Sequence, residues 1–364
     1  MTTQSTLFWQ RMQNTLFPEF METINPATEK HKEIAYILDL LKVEEFVVDS
    51  SSTTQRGRPK ENRQILIRAF IAKAILNSQS TVAFLERLQF DVTLRRICGW
   101  IYVRDIPCEA TFSNAFAEFA KSKKFEEAHT ALIKKYMGND LVFHISRDAT
   151  AIEAREKKAA KEEPAVAPKF PKGRPKKDEI RPEKELKRLE KQPNQTLSEM
   201  LLDLPTHCNS GAKTNSKGNQ SFWNGYKLHL DVSDGGIPIS ALLTSASVHD
   251  SQVAIPLEVM TGQKVSSLYT LMDAAYNSSI IRTFIDLQGK NSIIAPKKSV
   301  AENEPLSPGS LVRFKNRTTA ERTNSDLKDN HGGRMIRVRG ASKVMAHLMA
   351  GVLVIAAKML SPLL

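Results

Sequence analysis

The apolar residues of this chain change period once, near Leu141, and that change limits the folds open to it. Up to about residue 138 they recur at helical spacing. Ile34, Ile37, Leu38 and Leu41 share one face, as do Ile65, Ala69, Ala72 and Leu76 in the next segment. Ser80 is placed to cap a third helix running through Val82, Leu85 and Leu88. Phe112, Phe116 and Phe119 form a further stripe, which at this spacing reads as core rather than as a surface for stacking bases. Beyond Leu141 come short runs of strand character. LVFHISRD ends in an acid, and GYKLHLDVSDGG alternates Tyr226, Leu228 and Leu230 before a turn at Asp234-Gly235-Gly236. IPISALLTSAS follows as its antiparallel partner; SLYTLMD and a short strand over 292–295 come later. Helices are expected from Ser251 through Met260, over 279–288, around Phe314 with a stop at Gly332-Gly333, and in a last apolar segment.

A hairpin followed by strands alternating with helices specifies an α/β fold, a mixed sheet covered by helices on both faces. The expected division is a helical domain over 1–138 and a sheet domain over 139–364. Between the first strand run and the hairpin, Arg155 to Phe222 is rich in Lys, Glu, Pro, Asn and Ser. It reads as a basic, mobile insertion at about 155–222, with little apolar surface to offset its ordering entropy.

The balance of 52 Lys+Arg against 40 Asp+Glu, a net charge of +12, points to a polyanionic partner, nucleic acid first. The N-terminus lacks a basic segment followed by an apolar run, so no signal peptide is read. Leu348 to Ala357 is the most apolar stretch; it is too short to span a bilayer and reads as a core helix, leaving no membrane role. Cys98, Cys108 and Cys208 are widely spaced and form no CxxC, which suits reduced thiols in a cytosolic protein.

The candidate chemistry lies on three elements. Asp148 and Asp273 each end an apolar run, so both are expected at strand edges where a mixed sheet opens its crevice. Phe314 to Lys328, FKNRTTAERTNSDLK, is expected to be helical. At 100° per residue Phe314, Arg317, Glu321 and Lys328 then fall at about 0°, −60°, −20° and −40°, on one face about 21 Å long. An aromatic, an arginine, a carboxylate and a lysine on one face suit a phosphodiester held beside a cation. Three carboxylates from separate elements are what a pair of Mg²⁺ ions needs to promote in-line phosphoryl displacement. Thr318, Thr319, Thr323, Asn324 and Ser325 are mediocre helix formers, so the segment is expected to need the sheet, or DNA, to become helical.

Asp148, Asp273 and Glu321, with Arg317 four residues before the glutamate and Lys328 seven after it, resemble the bacterial insertion-sequence transposases of the DDE class. More narrowly they resemble the branch with a Tyr-Arg-Glu-Lys signature. The similarity runs from about Arg56 to Leu360, through GYKLHLDVSDGGIPISALLTSASVHDSQVAIPLEVM, LMDAAYNSSIIR and IRVRGASKVMAHL. The resemblance implies a ribonuclease-H-like core in which Asp148, Asp273 and Glu321 are catalytic and hold two Mg²⁺ ions, with Mn²⁺ as substitute. It also implies cleavage and joining of double-stranded DNA, at terminal inverted repeats and in a target, by a dimer or higher oligomer assembled on DNA. The expected setting is the bacterial cytoplasm, at the nucleoid. Phe314 stands where the signature has Tyr; it keeps the aromatic surface and lacks a hydroxyl that could bond a phosphate.

DNA contacts are expected from Phe314, Arg317 and Lys328, with Arg317 gripping a phosphate near the scissile one. Two further contacts are expected in Gly-Arg-Pro tracts, Arg56, Arg58 and Lys60 in one and Arg174, Lys176 and Lys177 in the other. An extended Arg-Pro backbone suits a narrow A·T minor groove. Asp250 reads first as an N-cap for the helix at Ser251, and neighbouring His249 could instead orient water on a metal. A catalytically impaired, transposase-derived DNA-binding protein or repressor is the alternative function. A plain nuclease on the same fold is a third.

Overall fold

The computed structural model describes residues 27–47, 60–160, 186–214, 218–296 and 305–363. The first half is helical: α1 (Glu29–Leu41), α2 (Arg63–Ile75), α3 (Thr81–Phe90), α4 (Val92–Cys98), α5 (Glu109–Lys121) and α6 (Lys124–Met137). Ser80 caps α3 as expected, its hydroxyl accepting from the Ala83 amide at 3.0 Å. The inward face of α3 is Phe84 and Leu88, however, and Val82 is 46% exposed. The Phe stripe is core: Phe112, Phe116 and Phe119 each lie against Phe70.

The second half is built on β1 (Leu141–Glu153), β2 (Asn209–Thr214), β3 (Gln220–Ser233), β4 (Pro238–Ser245), β5 (Ser266–Met272) and β6 (Asn291–Ile294). The sheet runs β2-β3-β1-β5-β6, with β4 also pairing β3. Pairs β2/β3, β3/β4 and β1/β3 are antiparallel, whereas β1/β5 and β5/β6 are parallel. This is the mixed sheet expected of a ribonuclease-H-like core, with an all-helical region before it. β3 is covered on both faces, which is why His229 and Asp231 are as buried as Leu228 and Leu230. Along its length β3 exchanges partners, pairing with β2 up to Gly225 and with β4 from Tyr226. Gly225 has φ +153°, and a Cβ there would lie 2.1 Å from the Ile152 carbonyl oxygen of β1. Only glycine lets the strands pair so closely at that point. The β3–β4 turn likewise needs Gly236, at φ +76°.

The stretch between Arg155 and Phe222 carries structure of its own in its described parts. α7 (Arg188–Lys191), α8 (Leu197–Asp203) and β2 lie within it, and β3 begins there.

α9 (Ala254–Gly262) and α10 (Ser279–Leu287) connect the later strands, and α11 (Pro308–Phe314) leads through a 3₁₀ turn into α12 (Thr318–Asn330). α13 (Ala341–Leu360) closes the chain; by length and composition it could cross a bilayer, but it is buried in the core. It packs against α2, α5 and α6 on one side and β4 and α12 on the other. One apolar cluster therefore runs from Ile34 to Leu360 through both halves. His129 Nε2 to the Pro238 carbonyl at 2.8 Å, and the Asn77 amide donating to the Asp329 carbonyl at 2.8 Å, tie them further.

Candidate active site

β1 places the first acid, and not at its end. The strand continues five residues beyond Asp148, paired only with β3 after its parallel partner β5 has stopped. Asp148 thus lies within its strand, not at the strand edge where the apolar run ends. Ala149 to Ile152 extend the ladder because β3, longer than the hairpin pattern indicated, is there to receive them. The crevice opens where β5 leaves. The register Ser146↔Leu271, carried two residues further, sets Asp148 level with Asp273, whose charge acts on it. Asp273 follows β5 and caps a short turn, accepting from the Ala275 amide at 2.9 Å.

Alternation along β1 sends the two neighbours of Asp148 to different jobs. Ser146, on the same face, donates to the Asn316 carbonyl at 2.8 Å and pins the 3₁₀ turn before α12 onto the strand. Arg147, on the opposite face, is fully buried. It bonds both oxygens of Asp231 at 2.7 Å, Glu258 at 2.9 Å and the Ala254 carbonyl at 2.8 Å, while Lys290 reaches Glu258 at 2.8 Å. This network locks β1 to β3 and α9 directly beneath the first acid.

α12 docks on the sheet through Ala320, Thr323, Asn324 and Leu327, all buried. Two of its weak helix formers, Thr323 and Asn324, are thus among the residues that make the tertiary contact. The Asn324 amide donates to Asp148 Oδ2 at 3.0 Å. In the 3₁₀ turn at Lys315–Arg317, side chains three apart eclipse. That sets the Arg317 guanidinium 5.7 Å from the Phe314 ring centroid, rather than 60° round the helix from it. The same guanidinium stands 3.7 Å from Asp148 Oδ1 and hydrogen-bonds Glu321, one helical turn on.

Electrostatics follow from this packing. Burial raises the Asp148 carboxyl to about 6; Asp273 pushes the same way, and Arg317 and Asn324 oppose it. Asp273 is also raised, by burial first and then by Asp250. Lys328 sits half-buried on the same helix, and burial, Arg334 and Lys213 pull its pKa down. The site is a pair of carboxylates short of positive charge, with Arg317 as the closest cation.

Asp148, Asp273 and Arg317 are therefore brought together, Phe314 lies against Arg317, and Glu321 joins through the guanidinium. Among the described residues, no three His, Cys, Asp or Glu side chains form a group that could hold an ion. The donors fit a hard divalent cation by chemistry, being carboxylate oxygens. By position the two aspartates stand level with each other, while the third acid is turned onto Arg317 and is 48% exposed at its side chain. Lys60 lies in the helical half, 3.8 Å from Glu118. Arg56, Arg58, Arg174, Lys176 and Lys177 lie outside the described residues.

Asp250 does not cap the helix. His249 instead caps the 3₁₀ turn Asp250–Val253 before α9, accepting from the Ser251 amide at 3.3 Å, and Asp250 pairs with Lys227 Nζ at 2.8 Å and acts on Asp273. Asn324, Lys213 and Arg147 were missed in the sequence. Asn324 was read only as a poor helix former, and nothing in the sequence joins Lys213 to the acids.

A mixed sheet of this connectivity, with two acids abreast at the crevice and a basic-acidic helix across it, defines the ribonuclease-H-like polynucleotidyl transferases. Residues 145–356 match the family described as Transposase DDE domain, and residues 19–118 match Transposase domain (DUF772). The chain belongs to the DDE transposases, a membership that implies nuclease activity of the polynucleotidyl-transferase type, DNA as partner and a general use of divalent cations. No curated protein and no solved structure matches it.

Proposed function

We propose that this transposase cleaves DNA at the ends of its own insertion sequence and joins the freed ends to target DNA, as a member of the branch with the Tyr-Arg-Glu-Lys signature. The observation that carries the reading is the register of β1 and β5, which sets Asp148 beside Asp273 under the helix bearing Arg317 and Glu321. Asp148, Asp273 and Glu321 would hold two divalent ions, Mg²⁺ or Mn²⁺, which supply charge stabilisation of the attacking and leaving oxygens. The remaining work belongs to the chain. Asn324 and Ser146 hold β1 and α12 in fixed relation, so the acids keep their spacing. Arg317 neutralises Asp148 and Glu321 in the DNA-free protein and passes to a phosphate when DNA enters. Lys328, about 10 Å along the helix from Glu321, holds a phosphate further from the reacting one. Arg suits a two-point grip and Lys a point charge.

The helical domain over about 1–138 would read the element ends, and the enzyme would assemble as a dimer or higher oligomer on DNA in the bacterial cytoplasm. The impaired-repressor reading draws on Phe314, which lacks the signature's hydroxyl. A strand-transfer assay with Mg²⁺ or Mn²⁺ on duplexes carrying the element's ends separates the two. Nicked and joined products support the enzyme, and binding without either product supports the repressor.

A further inference from the structure

A second basic site lies at the far end of α12. A cleft of about 610 Å³ separates α2, α3 and α5 from the segment 331–343 that leads into α13. Lys73, Arg337, Arg339 and Lys343 line it, against one carboxylate, Glu109. None of the four cations has an ion-pair or hydrogen-bond partner among the described residues. Lys73 is held largely out of water beside Arg337, and burial with that like charge lowers its pKa to about 8. Two cations crowded together with no acid between them are costly unless an anion joins them.

His331 also lines the cleft and is 2% exposed, but it is spoken for: its Nδ1 donates to the Ala74 carbonyl at 3.2 Å and its Nε2 lies 3.8 Å from Asp326. Helix ends add to the positive field. The N-termini of two helices border the cleft: α3, through Ser80, Thr81 and Val82, and α13, through Lys343. α13 is 20 residues long and has no side-chain cap at Gly340. Both turn the positive ends of their dipoles toward it, with the Ala83 amide of α3 already taken by Ser80 and the Gly340 amide before α13 by Glu156.

We propose that this cleft binds the phosphodiester backbone of the DNA flanking the cleavage position. The proposal rests on the reading that DNA occupies the Asp148 site. The geometry favours a continuous strand over a free anion. His331 lies about 15 Å along α12 from Glu321, which is four or five nucleotide steps of duplex. Lys328 lies between them, and Arg334 and Lys213 act on it, so positive charge continues from the acids to the cleft. Arg337 and Arg339 are exposed on a segment without regular secondary structure, where a passing backbone can reach them.

The test uses the full-length protein in EDTA with two fluorescein-labelled duplexes. One extends about ten base pairs beyond the cleavage position; the other stops at it. Anisotropy titrations over a range of KCl measure how steeply log K falls with log salt. The expected result for R337Q/R339Q/K343Q is a slope shallower by about two to three units on the long duplex, at about 0.9 per phosphate released, with at least about tenfold weaker binding. On the short duplex the variant should match wild type. An unchanged slope on the long duplex overturns the proposal, as does an equal loss on both. Thermal protection by pyrophosphate with the DNA slope unaltered would also overturn it and assign a small-anion site. The catalytic reading fails on different grounds, namely cleavage that survives D148N.

Discussion

Replacing Asp148 with asparagine should stabilise the DNA-free protein, and the gain should depend on pH. Burial raises the carboxyl from 3.8 to about 6. A rise of about two pH units corresponds to about 3 kcal/mol of penalty on the ionised form in the fold. Because the folded pKa lies above the unfolded one, the fold favours the neutral acid. The carboxyl's contribution to stability is complete below pH 4 and is lost as the pH climbs through 6. Asparagine keeps the shape, and an oxygen able to accept from Asn324, while removing the charge. The loss of Arg317's attraction is already contained in the net value. In EDTA at pH 8, urea unfolding should therefore find D148N more stable by about 3 kcal/mol, and at pH 4.5 by about 1 kcal/mol. A variant no more stable than wild type at pH 8, or one gaining equally at both pH values, would refute the electrostatic picture of the site.

Arg317→Ala and Lys328→Ala should each weaken DNA binding and lower the salt slope by about 0.9, while Glu321→Ala abolishes cleavage and leaves binding largely intact. Equal loss of binding in all three would show that these roles are misassigned. Arg147→Met should cost about 3–5 kcal/mol in urea unfolding, because Asp231 keeps a buried charge without its partner. R147M/D231L should recover part of that loss, and no recovery would mean that the network is not what holds β1.

Much of this architecture was legible because periodicity survives folding. The hairpin, the strand before Asp273 and the helices beyond it stand close to where their patterns put them. Asp273 was legible as an acid after an apolar run. Asp148 looked the same, yet its strand continues, because the length of a strand is set by the partner beside it. The neighbourhood of Phe314, Arg317 and Glu321 follows their spacing, Arg317 standing by the Phe314 ring and pairing with Glu321. The 3₁₀ turn within it was not legible, since the turn is pinned from outside by Ser146. Arg317 read as a phosphate grip, and the fold sets it between two carboxylates of this chain. Buried ionic contacts such as Arg147 with Asp231 join residues 84 apart, and no local pattern announces them.

In the proposed function three carboxylates work as one set on DNA. The most direct measurement of this is strand cleavage and joining in Mg²⁺ by D148N, D273N and E321Q, each beside wild type on the same end duplex. All three should fall at least about a thousandfold in rate, the scale of losing a main electrostatic contact at a reacting centre, with DNA affinity kept. Any one of them joining strands at the wild-type rate would contradict it.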